Sequence, residues 1–271
     1  MGHKAVVTGE TSVHTFNMHP LLWPLFSAKH KIHWGLVPRP HYAYCLYQAA
    51  RLAKLLGVPR ISALEFGVAG GNGLVMIEQH ARWIQRELGV KLEIYGFDTG
   101  EGLPEPEDYR DVPYAWKAGF FKMDRPALER RLEGSQLVIG NVRDTGATFF
   151  TRYKPAPVGC VFHDLDFYSS TRDALTVLDA ASEHFLPRVF HYFDDIIGTD
   201  LVLQNEYVGQ RRAIKEFNEA HANKKIADCH QFYHRKKRKK WHRQIFVFHD
   251  FLHPQYNKFI ETDNQQLPLD G

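Results

Sequence analysis

No apolar run in this 271-residue chain approaches the length needed to span a bilayer, and a basic-then-apolar leader is missing. Val6 stands where a myristoylation signal after Met1-Gly2 has Ser or Thr. The expected setting is the cytoplasm, with no membrane span. Cysteine is scarce: Cys45, Cys160 and Cys229 are far apart and odd in number, which argues for free thiols in a reducing compartment and against a disulfide framework. There is no internal repeat. A global charge excess is lacking too, because the net charge is only +3. The consecutive basic residues Arg235 to Lys240 exceed that alone, which leaves a body of about −3. The two common nucleotide loops are also absent: no Gly-x-Gly-x-x-Gly spacing occurs, and no loop ends in Gly-Lys-Ser/Thr.

What is present is Ala63-Leu64-Glu65-Phe66-Gly67-Val68-Ala69-Gly70-Gly71-Asn72-Gly73, an apolar strand passing through a glycine cluster into an amphipathic helix. A pyrophosphate loop wants amide donors and no carboxylate, yet Glu65 directly precedes this one. A carboxylate suits a ligand's ammonium group, and amides at a helix N-terminus suit its carboxylate. S-adenosylmethionine carries both, plus a ribose needing an acceptor beyond the next strand, where Asp98 stands. The expected cofactor contacts are Glu65, Gly67, Val68, Gly71, Asn72, Asp98 and Thr99.

Around this loop, strand and helix patterns alternate. Strands are expected at 61–66, 91–97, 136–140, 158–163 and 188–193. Helices are expected at 41–56, from Gly73 to Leu88, at 126–132, at 171–185 behind a Ser170/Asp173 box, and at 209–222. Two final strand-like runs, 226–233 and 243–251, flank the basic hexamer and read as an antiparallel edge hairpin. The fold class is α/β, a doubly wound and mostly parallel sheet of Rossmann-like type. An N-terminal helical or irregular lid packs on it. The division is 1–59 for the lid and first helix, 60–251 for the core and 252–271 for a tail.

Ligands in such sheets sit beyond the carboxyl ends of the strands. Acidic residues gather there: Asp164 and Asp166 after the fourth strand, Asp194 and Asp195 after the fifth. Carboxylates converging from neighbouring strand ends make a seat for one hard cation. Asp164, Asp194 and Asp195 are the expected metal ligands, with Mg²⁺ as the ion.

In these motifs the chain resembles the class I S-adenosylmethionine-dependent methyltransferases, and within them the macrocin O-methyltransferase family of sugar methyltransferases. The family's first loop is matched by Glu65, Gly67, Val68, Gly70 and Gly71, and its second-strand motif by Asp98-Thr99-Gly100-Glu101-Gly102-Leu103-Pro104. Asp144-Thr145, Asp164-Leu165-Asp166-Phe167-Tyr168-Ser169-Ser170-Thr171 and Asp194-Asp195 match the later ones. The likeness covers about residues 60 to 220. Gly100, Leu165 and Ser169 depart from it, and Phe167 occupies the place of a lysine found in catechol-type relatives.

The resemblance implies methyl transfer to a hydroxyl of a sugar or other polyhydroxylated natural product, with Val142 and Arg143 against the adenine. Asp164, Asp166 and His163 are the catalytic candidates. Asp166 (better motif match) and His163 (better intrinsic pKa) compete for the role of base. Lids at the N-terminus and at 104–121 are expected to choose a small-molecule acceptor, sugar or phosphate-bearing, and in the resembling family such lids pack across homo-oligomers. Two rival readings stand beside this one. One is a nucleic-acid methyltransferase that grips phosphates with the 235–240 loop; the other is a non-catalytic methyltransferase-fold binding module.

Overall fold

The computed structural model describes residues 27–235 and 238–261; most of the N-terminal lid and the end of the tail lie outside them. The strands are β1 (Arg60–Phe66), β2 (Lys91–Asp98), β3 (Gln136–Ile139), β4 (Val158–His163), β5 (Phe185–Phe193), β6 (Lys224–Asp228) and β7 (Ile245–Asp250). They form one sheet in the order β3-β2-β1-β4-β5-β7-β6. β1 to β5 run parallel, and β7 is antiparallel to both neighbours. The α/β class and the antiparallel C-terminal pair are as read from the sequence.

Helices cover both faces: α1 (Ala28–Trp34), α2 (Pro40–Leu56), α3 (Asn72–Leu88), α4 (Arg125–Glu129), α5 (Val142–Tyr153), α6 (Tyr168–Leu175) and α7 (Gly209–Ala220). Strand periodicity divides the core in two. Ile61, Ala63, Cys160 and Phe162 pack with α2 and α3, while Leu64, Phe66, Val161 and Phe193 pack with residues of α5, α6 and α7. Because both faces are buried, β1 and β4 read as near-continuous apolar runs. Along α2 the face of Tyr42, Cys45, Leu46, Ala49, Leu52, Ala53 and Leu56 is buried throughout, and Gly57 closes the helix in the left-handed conformation.

Three expectations need correction. The helix at 171–185 is instead α6, starting at Tyr168 and followed by 3₁₀ turns at Thr176–Asp179 and Ser182–His184, with Phe185 already in β5. Ser170 lies inside α6, and Asp173 is held by Arg143 and Arg172, so the two make no N-terminal box. α5 was not read from the sequence at all, since only Gly146 and Phe149 of it are buried and its apolar period is weak. The last connection is not a tight hairpin tip: residues 229–244 include 3₁₀ turns at His230–Phe232 and Lys240–Arg243. No helix among the described residues is long and apolar enough to cross a membrane.

Candidate functional site

The parallel topology puts the carboxyl ends of β1, β2, β4 and β5 along one edge, where they floor a cleft of about 620 Å³. The glycine loop enters it at Gly67, whose φ of 84° lies in the left-handed region. A Cβ there would run into the backbone carbonyl of Asp164. Gly67 thus lets the first loop rest directly on the end of β4, bringing the expected cofactor and metal sites into one space. The loop is also tied sideways. Asp98 Oδ2 accepts from the amides of Val68 and Ala69, both at 2.9 Å, and Asp98 Oδ1 accepts from Gly100 at 2.7 Å. Three donors occupy a carboxylate with about four acceptor sites, so Asp98 arranges the loop as well as facing the cleft.

Of the residues expected to meet the cofactor, Gly67, Asp98, Thr99, Val142 and Arg143 line the cleft, joined by Ala69, Gly140 and Asn141. Phe97, Leu103, Trp116 and Phe121 add an apolar wall. The other four are placed elsewhere. Glu65 lies beneath the loop, 1% exposed, where its Oε1 accepts from the Tyr42 hydroxyl at 3.0 Å. Gly73 must be glycine because Glu65 Oε1 fills the space of its Cβ. Val68 is buried, Gly71 caps α3 against Leu128, and Asn72 turns outward to accept from Arg131 at 2.8 Å. The other oxygen of Glu65, Oε2, is buried without a hydrogen-bond partner.

The aspartates do converge. One oxygen each from Asp164, Asp194 and Asp195 lies within 4.8 Å of the others. An all-carboxylate donor set suits Mg²⁺, Mn²⁺ or Ca²⁺, and Asp195 Oδ2 is buried with no hydrogen-bond partner. Tyr192 donates to Asp194, and Gln210 accepts from the Asp195 amide at 3.0 Å while donating to the carbonyls of His163 and Leu165. Asp166 lines the same space. Burial, with Asp194 next in weight, pushes Asp164 and Asp166 up to about 7. Burial, Asp166, Asp194 and Asp164 raise Asp195 well above the carboxylate range. Burial and then Asp164 push Glu65 up to about 8. So many carboxylates in one cleft repel each other unless a cation joins them.

His163 is the clearest correction. It is 1% exposed, stacked on Phe193, and its Nε2 meets His191 Nδ1 at 2.9 Å in the core. Burial and the neighbouring His191 lower its pKa well below the ordinary value. A ring with no path to the cleft takes no proton from a substrate there, which leaves Asp166 and Asp164 as the facing groups.

Arg39 was not foreseen. It precedes Pro40 with φ 42° and ψ 61°, left-handed for a residue that normally stays extended before proline. Desolvation works against its charge, but Tyr42, Asp164, Glu65 and Asp194 more than offset that and raise its pKa. Gln210, Tyr42 and Tyr192 were missed as well, since their roles arise only from packing. The 104–121 stretch does border the cleft. Tyr114 donates to the Val202 carbonyl at 2.6 Å, and Val112 packs with Val202 and Val208, with the cleft-lining Trp116 against them.

With this geometry the chain has a Rossmann-like fold of the methyltransferase type. It is similar to the O-methyltransferase NovP, with 16% identity, covering 78% of this chain and 79% of that one at a TM-score of 0.50. It is also similar to the calicheamicin methyltransferase CalS11, at 21% identity over 68% and 73% of the two chains, with a TM-score of 0.49. At such identity the likeness to NovP establishes the fold and nothing more. No family model and no curated protein matches the chain.

Proposed function

We propose that the chain is an S-adenosylmethionine-dependent O-methyltransferase acting on a hydroxyl of a sugar or similar small polyhydroxylated acceptor. The observation that carries this is the seating of Gly67 on the Asp164 carbonyl, which makes the cofactor loop and the aspartate cluster two walls of one cleft. The donor chemistry fits both the cofactor and a divalent cation. For the cofactor, a carboxylate at Asp98 suits ribose hydroxyls, Thr99 and the apolar wall suit a nucleoside, and Arg143, tied to Asp173 at 3.0 Å, closes the adenine end. For a divalent cation, Asp164, Asp194 and Asp195 offer hard oxygen donors, one of them without a partner.

A bound divalent cation supplies a lowered pKa and a fixed orientation for a coordinated hydroxyl. The chain's own residues do the rest. Asp98 and the glycine loop fix the donor end, and Gln210 and Tyr192 fix the aspartates. Asp166, which lines the cleft beside the aspartate cluster, accepts the acceptor's proton. Trp116, Phe121 and Leu103 exclude water from the apolar side. Most of the rate gain comes from alignment for in-line displacement at the methyl group.

The test is methyl turnover over a panel of vicinal diols, with and without chelator. Turnover that needs a divalent cation and falls on Asp166→Asn supports the reading; turnover unchanged by exhaustive chelation would remove the cation from it. The nucleic-acid and non-catalytic readings gain no observation of their own from the cleft.

A further inference from the structure

Arg235 and Lys239, from the basic run, meet α1 and its cap and build a second site with them. Arg235 donates to His33 Nδ1 at 3.5 Å and stacks over Phe232, 4.6 Å from the ring centre. Lys239 reaches over Gly35, the cap of α1, and would be displaced by any Cβ there. His242, 6% exposed, lies flat on Phe232 and accepts from the Lys239 amide through Nδ1 at 3.2 Å. That bond puts the remaining proton of the neutral ring on Nε2, which is buried without an acceptor. Among the described residues, no carboxylate lies within ion-pair distance of Arg235, Arg238 or Lys239. The cations crowd one another instead: burial, Arg235 and Lys239 hold His33 and His242 below the ordinary histidine range.

A solvated set of charges spreads apart; Arg235, Lys239, His33 and His242 instead gather around Phe232 and Gly35, with an orphan donor among them. Such a set of donors matches a compact anion of high charge. The segment that carries the group also runs to the edge of the cleft. Lys240 acts electrostatically on Asp195, and Gln244, two residues beyond His242, donates to the Asp194 carbonyl at 2.7 Å.

We propose that His33, Arg235, Lys239 and His242 bind the phosphate groups of the methyl acceptor, which makes that acceptor a phosphorylated sugar or polyol, not a neutral glycoside. The acceptor half rests on the methyl-transfer reading; the anion site stands on its own contacts. A compact cluster of four groups favours a single phosphate or pyrophosphate over a nucleic-acid strand, which would call for an extended basic stripe.

The test is calorimetric titration of inorganic pyrophosphate into the full chain and into an Arg235→Ala/Lys239→Ala double variant, with S-adenosylmethionine titrated in parallel. Pyrophosphate is expected to bind the parent and to lose about tenfold or more in affinity in the variant. The thermal midpoint and the S-adenosylmethionine affinity should not change. Equal pyrophosphate binding by the two proteins, or none by either, would overturn the site. A single-stranded RNA oligonucleotide that binds far more tightly than pyrophosphate, and more so with length, would overturn it in favour of a polymer. Failure of S-adenosylmethionine alone would instead strike the methyl-transfer reading.

Discussion

The two walls of the cleft are built on opposite principles. The glycine-loop wall is satisfied before any ligand arrives, because Asp98 takes three backbone amides and holds the turn in shape. The aspartate wall is unsatisfied, with an orphan oxygen on Asp195 and carboxylates forced upward in pKa by burial and by each other. One wall is preorganised, while the other stores repulsion that a cation would relieve. The difference teaches that the cofactor side should bind in a metal-free protein, and that the acceptor side should not be complete without a cation.

The comparison breaks most sharply at the cation seat. Asp194→Ala is expected to lower turnover by about a hundredfold or more while leaving S-adenosylmethionine affinity within a few-fold, as read by steady-state kinetics and calorimetry. Equal losses in both would show that the walls are not separable. Gly67→Ala tests the hinge between them. The left-handed φ and the collision with the Asp164 carbonyl should together cost about 3 kcal/mol or more in denaturant unfolding. Asp98→Asn keeps an acceptor for Val68 and Ala69 but turns an amide toward the Gly100 N–H. A loss of about 1–3 kcal/mol and weaker cofactor binding are expected.

The pH dependence sharpens the contrast, because two sets of groups act with opposite sign. Carboxylates raised in the folded state contribute stability that is complete below their unfolded pKa of about 4 and is lost as pH rises through the folded value. For Asp164 and Asp166 that value is about 7, and for Glu65 about 8. The histidines His41 and His191, pushed down to about 3 chiefly by desolvation, contribute stability present above about pH 6.5 and lost as pH falls toward 3. From pH 6.5 to 8 the histidines are silent. The cation-free thermal midpoint should therefore fall across that window, and excess Mg²⁺ should flatten the fall. A midpoint flat without the cation would mean the aspartates are not under repulsion. The smallest effect belongs to Ala69, non-glycine at φ 45°. Ala69→Gly relieves that strain but loosens the unfolded chain, so stability should stay within about 1 kcal/mol.

The sequence exposed what local rules control. β1, the glycine loop, α3 and β2 were readable because an apolar run, a glycine cluster, a helical period and a stop at Gly89 follow one another. Asp98, Asp164, Asp194 and Asp195 were readable for the same reason, as acids just at or past the ends of apolar strands. The orientation of His163 was not, since β4 is buried on both faces and alternation carries no sign of which way its last residue turns. Arg39 and Gln210 reach the site from elements remote in sequence, and no local pattern marks either. The helix at 171–185 failed because its second half tightens into 3₁₀ turns that keep an apolar spacing without continuing the helix.

The most direct test of the two-wall account is calorimetry of S-adenosylmethionine and Mn²⁺ with the parent protein and Asp194→Ala. S-adenosylmethionine should bind both proteins without metal, with Kd between about 1 μM and 1 mM, and Mn²⁺ should bind only the parent. Absence of S-adenosylmethionine binding at several-fold higher concentration, or Mn²⁺ binding undiminished by Asp194→Ala, would contradict it.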